Sequence, residues 1–248
     1  MIEFVHRPTK GRVYSNTRRV RLSDAGPDSI LRLDGVARYL QDVASDDWAE
    51  SGLDPRDTWV VRRTALQVAD GGRWPGLGEV VRLTTWCGGA GAAWAERRTD
   101  LEVGDRLMVE AAALWVSVDV SGRPSRLSKE FHDVYGGAVA GRRVSGRVPS
   151  APVPADATTQ PWPVRRADLD VVGHVNNAAL WAALTEIVRG PVASAALTHH
   201  GPVDDGQALT LATKPGRLWL IADSEVRVSA EFKPARGTSP QPGVLSGV

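Results

Sequence analysis

A carboxylate, an imidazole and two amides lie close together in the second half of the sequence, in the segment DLDVVGHVNN at positions 168–177. Asp170 and His174 are four residues apart, and an acid–base pair of this kind can activate water or attack a carbonyl carbon. Gly173 between them lets the backbone approach a ligand closely. The segment therefore predicts a catalytic site. A structural role, in which Asp170 caps the loop and Asn176 caps the following helix, explains the same residues.

The stretch after this segment is apolar on nearly every side and predicts a buried helix from about Val175 to Val188. The N-terminus of a helix carries unpaired N–H groups and the positive end of a dipole. We therefore expect the backbone near Val175 and Asn176 to donate hydrogen bonds to an oxyanion that forms beside Asp170 and His174.

Two other groups of reactive side chains are weaker candidates for a catalytic or metal-binding site. Cys87 is the single cysteine, lies in a predicted strand and has no histidine nearby in the sequence, so we expect a packed thiol and not a nucleophile. His199 and His200 are adjacent. Because neighbouring residues of a strand point to opposite faces, the two histidines are not expected to bind one metal ion.

The composition is that of an ordinary globular protein, with 42% hydrophobic and 24% charged residues in 248. Thirty basic and 29 acidic residues leave a net charge of +1, which argues against broad binding to nucleic acid. The first residues lack the apolar core of a signal peptide, and no apolar run reaches the roughly 18–20 residues of a membrane span. Together with the single cysteine, these features predict a soluble protein of the cytoplasm.

The first half of the chain is predicted to contain one helix among extended segments. From Leu33 to Trp48 the apolar residues recur at steps of three and four, which indicates a helix that Gly52 and Pro55 end. The predicted strands lie at 12–23, 58–69, 78–87, 93–103 and 106–120.

The second half repeats that order, with an extended piece around Val164, then the helix, then four strands. Asp24 and Asp170 occupy equivalent places 146 residues apart, which indicates an internal duplication. The sequence therefore predicts an α+β protein of two tandem domains, each an antiparallel sheet wrapped around a central helix. An unrelated pair of α+β domains is the alternative. The predicted strands of the second half lie at 194–200, 206–213, 217–222 and 225–233.

Composition gives the expected limits of the domains. The stretch 136–161 is rich in Gly, Pro, Ala and Ser without a sustained period, which is typical of a linker. The first domain then covers 1–135 and the second 162–233. The segment 234–248 is predicted to be a disordered tail.

The segment DLDVVGHVNN, followed by an apolar helix that ends in Glu186, resembles the catalytic segment of the acyl-acyl-carrier-protein (acyl-ACP) thioesterases. Segments LRLD, YLQDVA, LWV and RLSKEF of the first half resemble the N-terminal domain of that family, so the resemblance covers most of 12–232. Members have two tandem hot-dog domains and hydrolyse a thioester to release a free fatty acid, with neither a metal nor an organic cofactor. The resemblance implies the same fold and chemistry for this chain.

The resemblance also assigns roles to particular residues. Asp170 and His174 match the catalytic aspartate and histidine, and Asn176 and Asn177 match the asparagine pair that opens the helix. Val172 stands where plant members have an asparagine that helps to polarise the thioester. Where the family has a glutamate followed by a cysteine or a small residue, this sequence has Gly201 and Pro202, and the preceding His199 and His200 could substitute.

The first half is predicted to be catalytically silent, because Asp28 stands where the second half has its histidine. Its helix keeps apolar bulk, so we expect this half to form the acyl pocket. The residues expected to contact substrate are Val36 and Leu40 of the helix and Val172 and Gly173 of the loop. An acyl tunnel could be lined by Trp48, Trp59, Trp86, Trp94 or Trp115.

One charge pattern points to a partner. No acidic residue lies between Asp133 and Asp156, whereas Arg142, Arg143 and Arg147 fall inside that interval. Such a strip could dock an acidic acyl carrier protein, although a solvated linker explains it equally well. The two halves are expected to form a pseudo-dimer that could also pair with a second copy of the chain.

The sequence thus predicts an acyl-ACP thioesterase of fatty acid biosynthesis. An acyl-CoA thioesterase and a non-catalytic acyl-binding hot-dog protein are the two alternatives, and a hot-dog dehydratase is a weaker third. Neither nucleic acid nor a membrane span is expected.

Overall fold

The computed structural model describes residues 4–149, 152–188 and 190–235, and the structural statements below concern those residues. The first half consists of β1 (Val13–Arg19), α1 (Leu33–Glu50), β2 (Thr58–Val68), β3 (Val80–Ala90), β4 (Trp94–Val103), β5 (Arg106–Val118) and α2 (Lys129–Val139). The second half consists of β6 (Thr158–Trp162), the 3-10 turns Arg166–Asp168 and Ala179–Trp181, α3 (Ala182–Ile187), β7 (Val192–His199), β8 (Leu209–Lys214), β9 (Arg217–Ala222) and β10 (Glu225–Pro234).

The strands form one antiparallel sheet in the order β1-β3-β4-β5-β2-β7-β10-β9-β8-β6. The second half has the strand order of the first, read from the opposite edge. β2 and β7 join the halves through an antiparallel ladder that runs from Arg63 opposite Thr198 to Gln67 opposite Ser194. The predicted α+β fold of two like halves in a continuous sheet is confirmed.

The spacing of apolar residues in α1 explains why this helix lies against the concave face of the sheet. Val36, Leu40 and Val43 are at most 8% exposed and belong to a core that also contains side chains of α3 and of strands from both halves. Burying a side chain of this size contributes about 1.5–3 kcal/mol. In the described part of the chain, no helix is long and apolar enough to cross a membrane.

The second helix is shorter than the predicted span Val175–Val188. It opens as the 3-10 turn Ala179–Trp181 and continues as α3 to Ile187. Trp181 and Leu184 are at most 1% exposed, so the prediction that this helix is buried is confirmed. Its predicted start is wrong, because residues 175–178 form a loop that is bonded to neighbouring segments.

The predicted linker 136–161 begins inside α2 and ends inside β6, so the segment between these elements covers 140–157. Helix α2 is not predicted from the sequence. Its N-terminus is fixed by Ser128, whose hydroxyl oxygen accepts the Phe131 N–H at 3.1 Å. A serine in this position satisfies an otherwise unpaired donor of the first helical turn.

The predicted disorder at the C-terminus begins too early. Pro234 is the last residue of β10, and the Ala235 N–H donates to the Pro191 carbonyl at 3.0 Å. The rest of the predicted tail, 236–248, lies outside the described residues.

Candidate active site

Asp170 closes a tight turn in the loop before the second helix. Its Oδ1 accepts the N–H of Val172 at 3.0 Å and that of His174 at 3.3 Å. The Asp170 N–H donates to the His174 carbonyl at 2.8 Å, and Gly173 has a φ of 83°, which favours glycine. The loop-capping role considered for Asp170 is therefore present in the structure. Its Oδ2 accepts no hydrogen bond from the described residues and remains available to a substrate or to water.

The imidazole of His174 is paired with a carboxylate that the sequence analysis did not single out. His174 Nε2 lies 3.3 Å from Asp204 Oδ1, and the His174 side chain is 48% exposed. Asp204 follows β7 in the loop that contains Gly201 and Pro202. The structure thus brings Asp170 and His174 into one turn but directs the imidazole towards Asp204.

The predicted oxyanion donors at Val175 and Asn176 are not free. The Val175 N–H donates to the Val203 carbonyl at 2.8 Å, and the Asn176 N–H donates to the Asp168 carbonyl at 2.7 Å. This prediction is wrong, since both donors are used to anchor the loop. Asn176 Oδ1 also accepts the N–H of Ala178 at 2.8 Å, as the structural interpretation expects.

Asn177 differs from its neighbour. Its backbone N–H and its side chain make no hydrogen bond within the described residues, and the residue is half-buried. Its backbone N–H and its side-chain amide can therefore donate to a ligand.

A small cavity, which we call the junction cavity, lies between the two halves and has a volume of about 30 Å³. Leu40 and Asn177 lie on its wall, whereas Val36 is fully buried in the core and does not line it. The polar residues around the junction cavity are Gln41, Thr64, Arg97, Thr99, Asn177 and His199.

The two adjacent histidines face opposite sides of the sheet, as the strand geometry predicts. His200 Nε2 is 2.8 Å from Ser229 Oγ, whereas His199 lies on the junction cavity. Burial lowers the pKa of His199 to about 3, and the positive charge of Arg62 acts in the same direction. Within the residues that the structure describes, no three His, Cys, Asp or Glu side chains are grouped so that they could hold a metal ion.

A larger cavity, which we call the aromatic cavity, lies in the first half and has a volume of about 310 Å³. It shares Arg97 and Trp115 with the junction cavity, so the two cavities adjoin. Trp86 and Trp94 do not line it. Its aromatic wall consists of Trp48, Trp59, Trp115, Phe131 and Tyr135.

Cys87 also lies on the wall of the aromatic cavity, but its thiol is not activated. Burial raises the pKa of the Cys87 thiol to about 11, so the thiol stays protonated at neutral pH. The sulfur is 3.5 Å from the Gly89 carbonyl oxygen, which a thiol can approach as a weak donor. These contacts fit the packed thiol that the sequence predicts.

A buried ion pair supports this wall. Asp47 of α1 is 1% exposed and accepts hydrogen bonds from Arg12 Nε at 2.6 Å, Arg97 Nη1 at 2.6 Å and the Tyr135 hydroxyl at 2.8 Å. Buried charges are tolerated when they are paired and hydrogen-bonded in this way. The network connects α1, α2 and the sheet around the aromatic cavity. It is not predicted from the sequence.

In the equivalent aspartate of the first half, Asp24, both carboxylate oxygens accept hydrogen bonds. Asp24 Oδ2 accepts the Tyr39 hydroxyl at 2.8 Å and the Arg21 N–H at 3.1 Å, and Oδ1 lies 3.3 Å from Arg38 Nη2. Burial alone would raise the pKa of Asp24, but these hydrogen bonds outweigh it and hold the pKa below its ordinary value. The Asp24 carboxylate therefore has a structural role.

The basic strip forms part of a groove, the arginine groove, with a volume of about 500 Å³. Arg142 is held by Glu96 Oε1 at 2.8 Å and by the Gly88 carbonyl at 2.9 Å, so it is not a free cation. Arg143 and Arg147 are exposed. The charged residues of the groove are Arg63, Glu96, Arg98, Arg142, Arg143 and Arg147.

Comparison with known families matches both halves of the chain. Residues 11–135 match the model of the acyl-ACP thioesterase N-terminal domain, and residues 153–229 match that of the C-terminal domain. The second match contains the loop of Asp170 and His174, and the first contains the aromatic cavity.

Individual proteins are similar over nearly the whole chain. A protein of Mycobacterium tuberculosis that is described as uncharacterised is 28% identical over 240 residues, which cover 92% of this chain and 95% of that protein. A structure assigned as an oleoyl thioesterase from Lactobacillus plantarum has a TM-score of 0.74 at 18% identity, with 90% of this chain and 96% of that chain covered. The 12:0-ACP thioesterase from Umbellularia californica has a TM-score of 0.73 at 20% identity, with 89% and 96% covered. At these identities the two structures establish the fold alone, which is that of two tandem hot-dog domains.

Proposed function

We propose, because the chain belongs to the acyl-ACP thioesterase family, that it hydrolyses the thioester of an acyl-acyl carrier protein and releases the free fatty acid. The observation that carries this proposal is the contact between the two cavities. An apolar cavity large enough for part of an acyl chain adjoins, at Arg97 and Trp115, the junction cavity, whose wall includes Asn177 of the predicted catalytic segment.

The catalytic groups of this proposal are Asp170, His174 and Asn177. Asp170 Oδ2, which accepts no hydrogen bond from the described residues, accepts a proton of water, and Asp204 fixes the orientation of the His174 imidazole. Asn177 donates to the carbonyl oxygen of the thioester as negative charge develops on it. Asn176 acts indirectly, because its side chain fixes the loop.

The test is thiol release from matched acyl-ACP and acyl-CoA substrates of several chain lengths. A higher kcat/KM with acyl-ACP supports the carrier protein as the substrate, and a higher value with acyl-CoA supports the alternative thioesterase. Activity with neither would favour the non-catalytic acyl-binding protein. That alternative is kept because Val172 replaces the family's asparagine and because the loop itself uses Asp170 Oδ1.

The division of labour between the halves is part of the proposal. The second half carries the catalytic groups, and the first half holds the acyl chain in the aromatic cavity. We propose that the protein acts in the cytoplasm and in fatty acid synthesis, where acyl carrier protein carries the acyl thioesters. The single cysteine of the chain is buried and free, which fits a reducing compartment.

Filling the aromatic cavity should shorten the preferred acyl chain. Ala44 of α1 lies on the cavity wall, and Ala44→Phe would occupy space that the end of a long chain needs. Each methylene that no longer finds room costs about 0.8 kcal/mol, or roughly fourfold in kcat/KM. The measurement is the chain-length profile of thiol release. Val80→Phe, at a position that is 42% exposed, is the matched control and should leave the profile unchanged.

Reversing the charge of the arginine groove should weaken the use of carrier-bound substrate. Arg143→Glu combined with Arg147→Glu is expected to raise KM for acyl-ACP and to leave acyl-CoA nearly unaffected, because the acidic surface belongs to the carrier protein. The effect should fade with added salt, since exposed charges are screened over about 8 Å at physiological ionic strength. Arg123→Glu, at an exposed position outside the groove, is the control. Equal effects on both substrates would contradict docking of the carrier.

A further inference from the structure

His199 is a buried polar side chain with an unsatisfied ring nitrogen in the part of the chain that the structure describes. It is the last residue of β7, it is 6% exposed, and its Nε2 has no hydrogen-bond partner among the described residues. Leaving a buried donor or acceptor unpaired costs on the order of 1–3 kcal/mol. A native structure seldom keeps such a group unless a ligand or an ordered water satisfies it.

The junction cavity next to this imidazole has the size of a water site and has polar side chains on part of its wall. Its volume of about 30 Å³ exceeds the roughly 10–15 Å³ that one water molecule requires. A buried water also needs two to four polar partners. Besides His199, the side chains of Gln41, Thr64 and Asn177 lie on the cavity wall and come from three different elements of the two halves.

The position of the junction cavity connects it to the reaction. Asn177 belongs to the loop of Asp170 and His174, and Arg97 is shared with the aromatic cavity that would hold the acyl chain. A molecule in the junction cavity therefore lies beside Asn177 of the catalytic segment and close to the aromatic cavity.

We propose that the junction cavity holds the water molecule that attacks the thioester, and that His199 Nε2 binds and orients this water; the inference rests on the proposed thioesterase activity. The water oxygen forms a bond to the carbonyl carbon while the C–S bond breaks and its electron pair passes to sulfur. Asp170, the proton acceptor of the proposed function, takes one water proton and passes it to that sulfur, which leaves as a thiol. The other proton remains on the new carboxylic acid until it ionises to solvent. His199 stays neutral throughout, because its burial disfavours the charged imidazolium.

The kinetic test compares His199→Phe, which removes the polar ring atoms, with His199→Gln, which keeps a polar group. His199→Phe should lower kcat about 10²-fold with little change in KM, since a nucleophile that is no longer held in place costs about this factor. His199→Gln should recover activity to within about tenfold of the wild type. His200→Gln is the matched control, because the adjacent imidazole faces Ser229 on the other side of the sheet and should leave kcat unchanged.

A competing nucleophile separates this role from a purely structural one. Hydroxylamine enters from solvent and does not depend on the water site, so His199→Phe should raise the ratio of hydroxamate to free acid about 10²-fold, after subtraction of the uncatalysed reaction. An unchanged ratio, or a folded His199→Phe protein with wild-type kcat, would overturn the inference and leave the thioesterase activity standing.

A direct observation covers the case in which His199→Phe does not fold. A high-resolution crystal structure of the wild-type protein should show a water within hydrogen-bond distance of His199 Nε2, and an empty cavity would overturn the inference. If the wild-type protein releases thiol from no thioester, the proposed function fails, and the inference falls with it.

Discussion

Replacing either Asp170 or His174 is expected to abolish most of the thiol release. Asp170→Asn removes the carboxylate whose Oδ2 is free to accept a proton, and His174→Ala removes the imidazole that Asp204 orients. Loss of one acid–base partner should lower kcat on the order of 10²–10⁴-fold. Because the two groups act as a unit, the double variant should cost little more than the worse single one.

Thiol-release kinetics on variants that are checked for folding by circular dichroism measure this effect. Val171→Ala is the matched control in the same loop, since the Val171 side chain is fully exposed. Val172→Asn, which restores the family's residue, should keep or raise the rate. Folded Asp170 and His174 variants with wild-type rates would show that the catalytic groups lie elsewhere.

Breaking the buried ion pair of the first half should destabilise the protein strongly. Asp47→Asn keeps the shape of the side chain but leaves the buried guanidinium of Arg97 without its counter-charge. Removing one partner of a buried pair typically costs about 3–5 kcal/mol. The measurement is the free energy of unfolding from denaturant titration. The variants are compared with one common value of the m-value, the slope of that free energy against denaturant concentration.

Two further variants make this result interpretable. Asp42→Asn removes an ion pair with Arg18 on the exposed side of the same helix, where Asp42 is 52% exposed, and should cost no more than about 1 kcal/mol. Asp47→Leu combined with Arg97→Met should recover much of the lost stability, because it removes the buried carboxylate together with the guanidinium of Arg97. Arg12, the other partner of Asp47, is 24% exposed and can be solvated. A loss below 1 kcal/mol for Asp47→Asn would mean that water reaches the site.

The repeat of the fold could be predicted from the sequence because each half shows the same local periods. The helical steps of Val36 and Leu40 and the alternation in β10 are properties of neighbouring residues, and the burial of the first two is as expected. Asp47 could not be predicted in the same way. Its burial depends on Arg97 and Tyr135, which reach it from distant parts of the chain.

The segment that contains the candidate site could be predicted from the sequence, but the positions of its side chains and their contacts could not. Local rules start a helix near Val175, whereas hydrogen bonds to Val203 and Asp168 hold residues 175 and 176 in a loop. The contact between His174 and Asp204 joins two loops that are distant in sequence, so no spacing rule indicates it. His199 could be assigned to a face of its strand from the sequence, but the cavity that it meets is formed by both halves.

The ladder between β2 and β7 joins, within one chain, two units that a symmetric dimer would build from identical copies. In such a dimer every substitution alters both symmetry-related positions at once. Here the two equivalent positions are separate residues of one chain, and each can be substituted without the other. Asp24 is bound by Tyr39 and Arg38, whereas one carboxylate oxygen of Asp170 is unbound within the described residues. Joining the two units in one chain allows one half to lack a free reactive group while the interface on which both halves depend is kept.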